Sequence, residues 1–144
     1  MIREIDISDA KEIQKICKTA LGYDVDISTV ENQIKKLSCD NKNHILAVYE
    51  DEGTKKVIGF VHAQVYESVY SDTGLNIIGL AVDPQFQGMG VGKKLMCCIE
   101  KYAIDNNMAF IRLNSANHRV EAHKFYENTG YTSDKLQKRF IKIF

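Results

Sequence analysis

A glycine-rich segment, Gln87 to Lys94, carries the clearest chemical signal in this 144-residue chain. Its glycines at 88, 90 and 92 alternate directly before a predicted helix, so no side chains screen the backbone and several N–H groups can converge on one anion. The N-terminus of a helix adds partial positive charge at the same place. The segment therefore predicts a phosphate-binding loop, because a turn that only needs positive φ does not require three glycines within five positions.

Two common phosphate-binding motifs do not fit this segment. The P-loop, G-x-x-x-x-G-K-[ST], would place Gln87 at its first glycine and Lys94 at its hydroxyl position. The dinucleotide motif G-x-G-x-x-G would end on Lys93 or Leu95 instead of glycine. A nucleotide-binding, kinase-like protein is therefore disfavoured. The pattern that fits is Gln87-x-x-Gly90-x-Gly92.

The elements around the loop begin with two helices. Apolar residues at helical spacing predict a first helix, which Ser8 or Asp9 would cap and Gly22 would end. The second helix is predicted from a capping box, Ser28-x-x-Glu31, followed by an apolar face.

The pattern then changes to strands. His44–Glu50 and Val57–Val65 predict a hairpin, and Asn76–Val82, apolar on both faces, predicts a central strand after the turn Ser71–Gly74. The elements expected later are a long helix after the glycine loop, a buried strand Ala109–Leu113, a helix Arg119–Thr129 and a closing strand Phe140–Phe144. This order predicts a single α/β (α+β) domain over residues 1–144, with a mixed, mostly antiparallel sheet flanked by about four helices.

Two segments resemble the GCN5-related N-acetyltransferase (GNAT) family. Ile77–Gly92, where Q-x-x-G-x-G follows a Leu-x-Val-x-Pro strand, is similar to the acetyl-CoA loop of that family. Ala122–Tyr131 is similar to its A-x-x-F-Y-E-x-x-G-[FY] segment, and the order of predicted elements agrees over essentially the whole chain. The resemblance implies a GNAT-like domain and an acetyl-CoA-dependent N-acetyltransferase that acts on a primary amine.

The resemblance also implies which residues hold acetyl-CoA. The pyrophosphate is expected on the backbone N–H groups of the loop, and the pantetheine arm on the backbone of the preceding strand. The residues expected to bind acetyl-CoA are Leu80, Ala81, Val82, Gln87, Gly88, Met89, Gly90, Val91, Gly92, Lys93 and Arg119. Arg119 stands where the family often has Asn, so it is either a phosphate ligand or an ordinary residue at the start of a helix.

Acetyl transfer needs an uncharged amine nitrogen, a polarised thioester carbonyl and a proton for the departing thiolate. Tyr126 matches the tyrosine that protonates the thiolate in the family. For the general base we expect Glu67, at the end of the third strand, with His62 and Asp72 as rivals. Direct attack in a ternary complex is expected, without an acyl-enzyme, since Cys98 belongs to the predicted buried stripe of its helix.

The acceptor is expected to be a small cationic amine. Gly22–Asp26 supplies two carboxylates and an aromatic ring, and the segment from Tyr66 to Asp72 supplies a second acidic and aromatic group; neither segment contains Lys or Arg. Acidic and aromatic side chains attract a cation. Two alternatives stay open: a protein N-terminal or lysine acetyltransferase, and a non-catalytic acyl-CoA-binding sensor or regulatory module.

Composition argues against several other classes. Nineteen basic and nineteen acidic residues give a formal net charge of zero, so global charge does not favour nucleic acid or an anionic membrane. No apolar run approaches the ~20 residues of a membrane span, and no signal peptide is evident.

The four cysteines form no C-x-x-C pair, which favours reduced, mostly buried thiols in a cytoplasmic protein. His118 and His123 do not share a helix face, so no metal is expected. Homodimers are frequent in the family, which makes a homodimer the candidate assembly.

Overall fold

A computed structural model describes residues 1–144. The strands are β1 (Ile2–Glu4), β2 (His44–Glu50), β3 (Val57–Ser68), β4 (Ser71–Val82) and β5 (Ile111–Leu113), and the helices are α1 (Ala10–Ile16), α2 (Ile27–Ser38), α3 (Val91–Asp105) and α4 (Val120–Asn128). The chain divides into two compact units, Met1–Leu113 and Asn114–Phe144. All five strands and the first three helices belong to the first unit, and α4 belongs to the second.

The sheet has the strand order β1-β2-β3-β4-β5. Its first three pairings are antiparallel, and β5 joins β4 in parallel, so the predicted mixed, mostly antiparallel sheet is confirmed. The hairpin of β2 and β3 is confirmed as well. The short strand β1, which pairs with β2, was not predicted because three residues carry too little periodicity to be recognised.

Helices cover both faces of the sheet. On one face, α1 and α2 bury Ile13, Ile16 and Ile34 against Val48 and Phe60 of the sheet. On the other face, α3 packs on β2, β3 and β4 and buries Leu95 and Ile99 completely. Gly59 permits this close approach, since a Cβ at residue 59 would lie 3.1–3.2 Å from the side chains of Val91 and Leu95.

The turn between β3 and β4 lies earlier than predicted. Ser68 pairs with Ser71, so the turn residues are Val69 and Tyr70, and the predicted turn Ser71–Gly74 is wrong because these residues are the first part of β4. Gly74 serves a different purpose there. A Cβ at Gly74 would lie 2.5 Å from the Phe110 ring, so the glycine permits close packing beside β5 instead of a reversal of the chain.

Three further expectations need correction. The Ser28 capping box is wrong, because the N-cap of α2 is Asp26, two residues earlier, and it makes no side-chain capping bond. The closing strand Phe140–Phe144 is absent. The second unit contains no strand that could supply a hydrogen-bonding partner, and Phe140 and Phe144 are almost fully exposed. Ile78 of β4 is 51% exposed, so this strand is not apolar and buried on both faces.

The four cysteines are free thiols. Cys39 and Cys97 are exposed, whereas Cys17 and Cys98 are half-buried, so the expectation of mostly buried thiols is wrong. Burial raises the pKa of both Cys17 and Cys98, which lowers their reactivity at neutral pH. None of the helices has the length and the apolar composition that crossing a membrane would require.

Candidate acetyl-CoA site

The predicted phosphate loop lies between the end of β4 and the start of α3. Gly90 is the N-cap of α3, and the first helical hydrogen bond runs from Lys94 N to Gly90 O at 3.0 Å. The backbone N–H groups of residues 91–93 precede that bond, so the helix itself offers them no acceptor. Gly90 has no side chain that could cap them. The start of α3 therefore presents N–H groups and partial positive charge to an anion.

The three glycines of the loop have two different roles. Gly88 and Gly90 both have φ of +79°, a conformation that favours glycine, and open space lies where their Cβ atoms would be. Gly92 is not among the residues with positive φ, because it lies in the first turn of α3. A turn therefore explains the first two glycines but not the third, which costs helix stability relative to alanine. Access of an anion to the bare backbone accounts for Gly92 as well.

Asp83 holds the entrance of the loop in place. Its Oδ1 accepts a hydrogen bond from Gln85 N at 3.0 Å, and its Oδ2 accepts one from Lys15 Nζ of α1 at 2.9 Å. On the other side of the loop, Gln87 Nε2 donates to Val82 O at 3.2 Å. The carboxylate of Asp83 is buried; burial alone disfavours its charged form, but the bonds from Gln85 and Lys15 outweigh this and lower its pKa.

Replacing Asp83 with asparagine should lower the free energy of unfolding at pH 7 by about 1 kcal/mol, because the Lys15 end of the ion pair is 59% exposed and screened by solvent. The pKa of Asp83 is depressed in the folded protein, so its contribution is present above the unfolded pKa of about 4. The contribution is lost as the pH falls through the lower folded value. Urea unfolding of both proteins at pH 7 and pH 3 measures this; a stability difference that is the same at both pH values would contradict it.

The edge of β4 is open beside the loop. Pairing of β4 with β5 ends at Ile77 and Leu113, and Ile78 forms a bulge in the pairing with β3. Ile58 lies directly opposite Asp83, and Asp83 N donates to Ile58 O. Because hydrogen-bonded pairs alternate with non-hydrogen-bonded pairs in an antiparallel ladder, Ala81 also bonds to β3. The backbone groups of Leu80 and Val82 then point away from β3, on the side that β5 no longer covers. Gln87 reaches Val82 O from that side.

Glu67 does not lie beside this open edge. β3 is indeed the neighbour of residues 80–82, as expected, but Leu80 pairs with Val61, and Glu67 lies six residues further along β3, a distance of about 20 Å. Its carboxylate is exposed and accepts a hydrogen bond from Thr73 Oγ1 at 3.3 Å. Asp72 lies at the same remote end of the hairpin and is also exposed.

His62, the third candidate base, pairs with Gly79 at the bulge. Its Nε2 lies 2.9 Å from Nδ1 of His44, and both side chains are half-buried. Burial, with a smaller contribution from the charge of His44, lowers the pKa of His62 to about 4. His62 is therefore neutral at pH 7, and a proton that it accepts is soon released. This property suits a residue that passes a proton on to His44 better than one that keeps it.

Tyr126 lies on α4 of the second unit. It is half-buried, and its ring makes edge-on contacts with those of Phe125 and Tyr131, at centroid distances of 5.2 and 6.1 Å. Burial raises the pKa of Tyr126, and the nearby charge of Arg119 lowers it by a smaller amount. The hydroxyl group is therefore protonated at neutral pH, as a proton donor must be. Arg119 itself is the exposed N-cap residue of α4.

The two segments predicted to attract a cation already have basic neighbours that the sequence analysis missed. Lys18 Nζ lies 3.3 Å from Asp24 Oδ2, and the Arg112 guanidinium lies 4.8 Å from the centroid of the Tyr66 ring. Lys18 reaches Asp24 because the chain reverses at Gly22, which has φ of +77°. The sequence contains one signal for Arg112: it is the only charged residue in an otherwise apolar predicted strand, Ala109–Leu113, and a charge there indicates a specific partner.

Comparison with known proteins identifies the family and the fold. A family model described as the acetyltransferase (GNAT) family matches residues 9–131. A solved structure of AAC(6')-Iy in complex with the bisubstrate analog CoA-S-monomethyl-acetylneamine superposes with a TM-score of 0.83 at 15% identity, covering 100% of this chain and 98% of that one.

Two relatives show the likeness in sequence. The N-acetylaspartate synthetase of Homo sapiens is 31% identical over 75 residues, which are 52% of this chain and 24% of that protein. The chain thus spans about a quarter of the length of that relative. An uncharacterized N-acetyltransferase, YhfO, of Bacillus subtilis is 25% identical over 134 residues, 92% of this chain and 90% of the relative. With its loop, its sheet and a family match over residues 9–131, the chain belongs to the acetyltransferase (GNAT) family.

Proposed function

We propose that this N-acetyltransferase moves the acetyl group of acetyl-CoA to the primary amine of a small molecule by direct attack in a ternary complex. The observation that carries the proposal is the continuity of two features: the uncapped first turn of α3 and the open edge of β4 at Leu80 and Val82. The first suits the pyrophosphate of the coenzyme. The second offers backbone donors and acceptors to an extended pantetheine arm, in the manner of an added strand.

The expected reaction needs few groups. The amine nitrogen forms a bond to the thioester carbonyl carbon, the C–S bond breaks, and the sulfur takes a proton. We assign that proton to Tyr126, on the family resemblance and on its protonated state. A backbone N–H of the β4 edge would stabilise the oxyanion that forms during attack. Arg119 and Lys93 are proposed as phosphate ligands.

For the proton that leaves the attacking amine, we propose the His62–His44 pair in place of Glu67. The register supports this change, because His62 lies opposite Gly79 at the bulge whereas Glu67 lies at the other end of β3. Replacing His62 with glutamine should lower kcat about 10- to 100-fold, a smaller effect than loss of the acid because water can take over. It should also remove an acid limb of kcat near pH 4 and leave the alkaline limb in place. Glu67→Gln is the matched control and should retain activity. The opposite ranking of the two variants would return the role of base to Glu67.

The test of the function itself is release of free CoA thiol from acetyl-CoA in the presence of a panel of primary amines. Turnover that depends on both substrates distinguishes an enzyme from an acyl-CoA-binding sensor, which would bind acetyl-CoA without releasing thiol. Adding peptides with a free N-terminus or a lysine to the panel distinguishes a protein acetyltransferase. Tight acetyl-CoA binding without turnover of any amine would contradict the proposed function.

A further inference from the structure

Residues 132–144, which we call the tail, belong to no helix or strand and make no backbone hydrogen bond. The tail nevertheless carries large apolar side chains. Their exposed fractions lie between 65% and 106% for Leu136, Phe140, Ile141, Ile143 and Phe144. Contiguous apolar surface of this kind marks an interaction site in a protein that is otherwise folded. The tail is therefore a segment that lacks its partner.

The residue pattern of the tail indicates what kind of partner it needs. Phe and Ile favour strands, and side chains alternate between the two faces of a strand. In a strand Phe140–Phe144, the two phenylalanines would therefore point to one face, and Ile141 and Ile143 to the other. A lipid surface covers only one face of such a segment. A sheet with helices on both faces covers both, and the sheet of this protein is of that kind.

The outer edge of β5 has the complementary deficiency. β5 is the last strand of the sheet and pairs only with β4. Leu75 of β4 pairs with Ile111, and Leu75 N donates to Phe110 O at 2.9 Å. Because neighbouring residues of a strand direct their backbone groups to opposite sides, those of Ile111 and Leu113 face the outer edge. Both side chains are apolar but only half-buried, so this edge lacks a hydrogen-bonding partner and apolar cover.

The charge of the tail is opposite to that of the rest of the chain. The tail holds four of the 19 basic residues and one of the 19 acidic residues, so its formal net charge is +3. Because the whole chain is neutral, residues 1–131 carry a net charge of −3. A second copy of this chain therefore attracts the tail electrostatically. An anionic membrane would attract the tail but repel the rest of the molecule.

We propose that two copies of this chain exchange their tails, each adding Phe140–Phe144 as a strand to the outer edge of β5 in the other copy. Each copy supplies one free strand and one free edge, so a two-fold axis satisfies both at once. The strand that the sequence predicts at Phe140–Phe144, which is absent from the single chain, would form in this dimer. The inference is independent of the proposed function, because its test does not involve acetyl transfer.

The area that the exchange would bury is sufficient for a stable dimer. A buried phenylalanine removes about 150–250 Å² from water, so the four phenylalanines of two tails account for about 600–1,000 Å². The surface that they cover loses a comparable area. The total therefore reaches the ~1,600 Å² of a standard stable interface, before the aliphatic side chains of the tail are counted.

Sedimentation velocity over a wide range of protein concentrations measures the dimer dissociation constant. The parent should be a dimer, and the double variant Phe140→Ser/Ile143→Ser should raise the dissociation constant by about 100-fold or more, since it removes large apolar groups from the interface. Val69→Ser/Tyr70→Ser is the matched control. It removes two exposed apolar side chains from the turn between β3 and β4, and it should leave the dissociation constant unchanged.

Hydrogen exchange of the parent distinguishes pairing between copies from pairing within one chain. In the dimer, the amide groups of Ile111, Leu113 and Phe140–Phe144 should be protected. Their protection should decrease when dilution produces monomer, because the proposed strand exists only between copies. Protection that persists unchanged in the monomer would assign the tail to β5 of its own chain and overturn the exchange.

Three other results would also overturn the inference. The first is a parent that stays monomeric at every concentration, and the second is a tail variant that dimerises as tightly as the parent. The third is a monomeric parent that sediments with phosphatidylserine vesicles, which would identify a lipid surface as the partner of the tail. Should the tail variant fail to fold, hydrogen exchange of the parent decides: protection that depends on concentration supports the inference, and its absence overturns it.

Discussion

Replacing Gly90 with aspartate should weaken acetyl-CoA binding about 100-fold relative to Gly90→Asn. At ~6 Å in a partly solvated site, each unit of like charge costs about 2.8 kcal/mol, which corresponds to this factor. The aspartate carboxylate would stand at the N-cap of α3, beside the N–H groups of residues 91–93 that we assign to the pyrophosphate. Isothermal titration calorimetry with acetyl-CoA measures the affinity of both variants.

The asparagine variant makes this comparison specific. Gly90 has φ of +79°, and asparagine and aspartate are the side chains that tolerate this conformation best, so backbone strain is similar in the two variants. Nothing beyond the adjacent residues lies within 4 Å of the position a Cβ would take, and the two side chains have nearly the same size, so any crowding is similar in both variants. Equal affinities in two folded variants would show that the pyrophosphate binds elsewhere.

Replacing Tyr126 with phenylalanine should lower kcat about 10²- to 10⁴-fold, the usual contribution of a general acid. The affinity for acetyl-CoA should change much less, because the ring and its contacts with Phe125 and Tyr131 remain. Pre-steady-state thiol release measures the chemical step separately from product release. Tyr131→Phe is the matched control, since the family segment accepts either Tyr or Phe at that position, and it should retain activity.

The pH dependence gives this prediction a second measurement. The pKa of Tyr126 is raised by burial, so the residue should donate its proton throughout the neutral range and lose activity only above the usual tyrosine pKa of about 10. Replacing Arg119 with glutamine removes a charge that lowers this pKa and should move the alkaline limb of kcat to still higher pH. An alkaline limb that persists unchanged in Tyr126→Phe would assign the titration to another group.

Local patterns predicted most of the elements in the first unit. The hairpin of β2 and β3, the long helix after the loop and the central position of β4 follow from periodicity and from the glycine and proline residues between elements. The errors occurred where one local signal has two physical causes. Ser71–Gly74 has the composition of a turn, yet Gly74 is required by the Phe110 ring, and only the register reveals that contact.

Side-chain partners were harder to predict than elements. The expectation of Glu67 as base depends on β3 lying beside residues 80–82. The strands are neighbours, but the antiparallel register places Glu67 at the end of β3 that is far from these residues. Similarly, the segments around Asp24 and Tyr66 contain no basic residue, and the charges that approach them come from Lys18 and from Arg112, which is 46 residues away from Tyr66 in sequence. Composition within a segment cannot reveal charges that tertiary structure brings to it.

The open edge of β4 also has a consequence for the behaviour of the protein in solution. Unpaired N–H and C=O groups on a strand edge are templates for β-aggregation between molecules. Here the outward groups are those of Leu80 and the N–H of Val82, since Gln87 already bonds to Val82 O, and neither residue carries a charge that would oppose pairing. If a pantetheine arm occupies this edge, bound acetyl-CoA also prevents the edge from pairing with a strand of another molecule. Saturating acetyl-CoA at 100 times its Kd would then add about 2.7 kcal/mol to the free energy of unfolding. The ligand-free protein should accordingly be the species that aggregates on storage, and coenzyme in the buffer should prevent it.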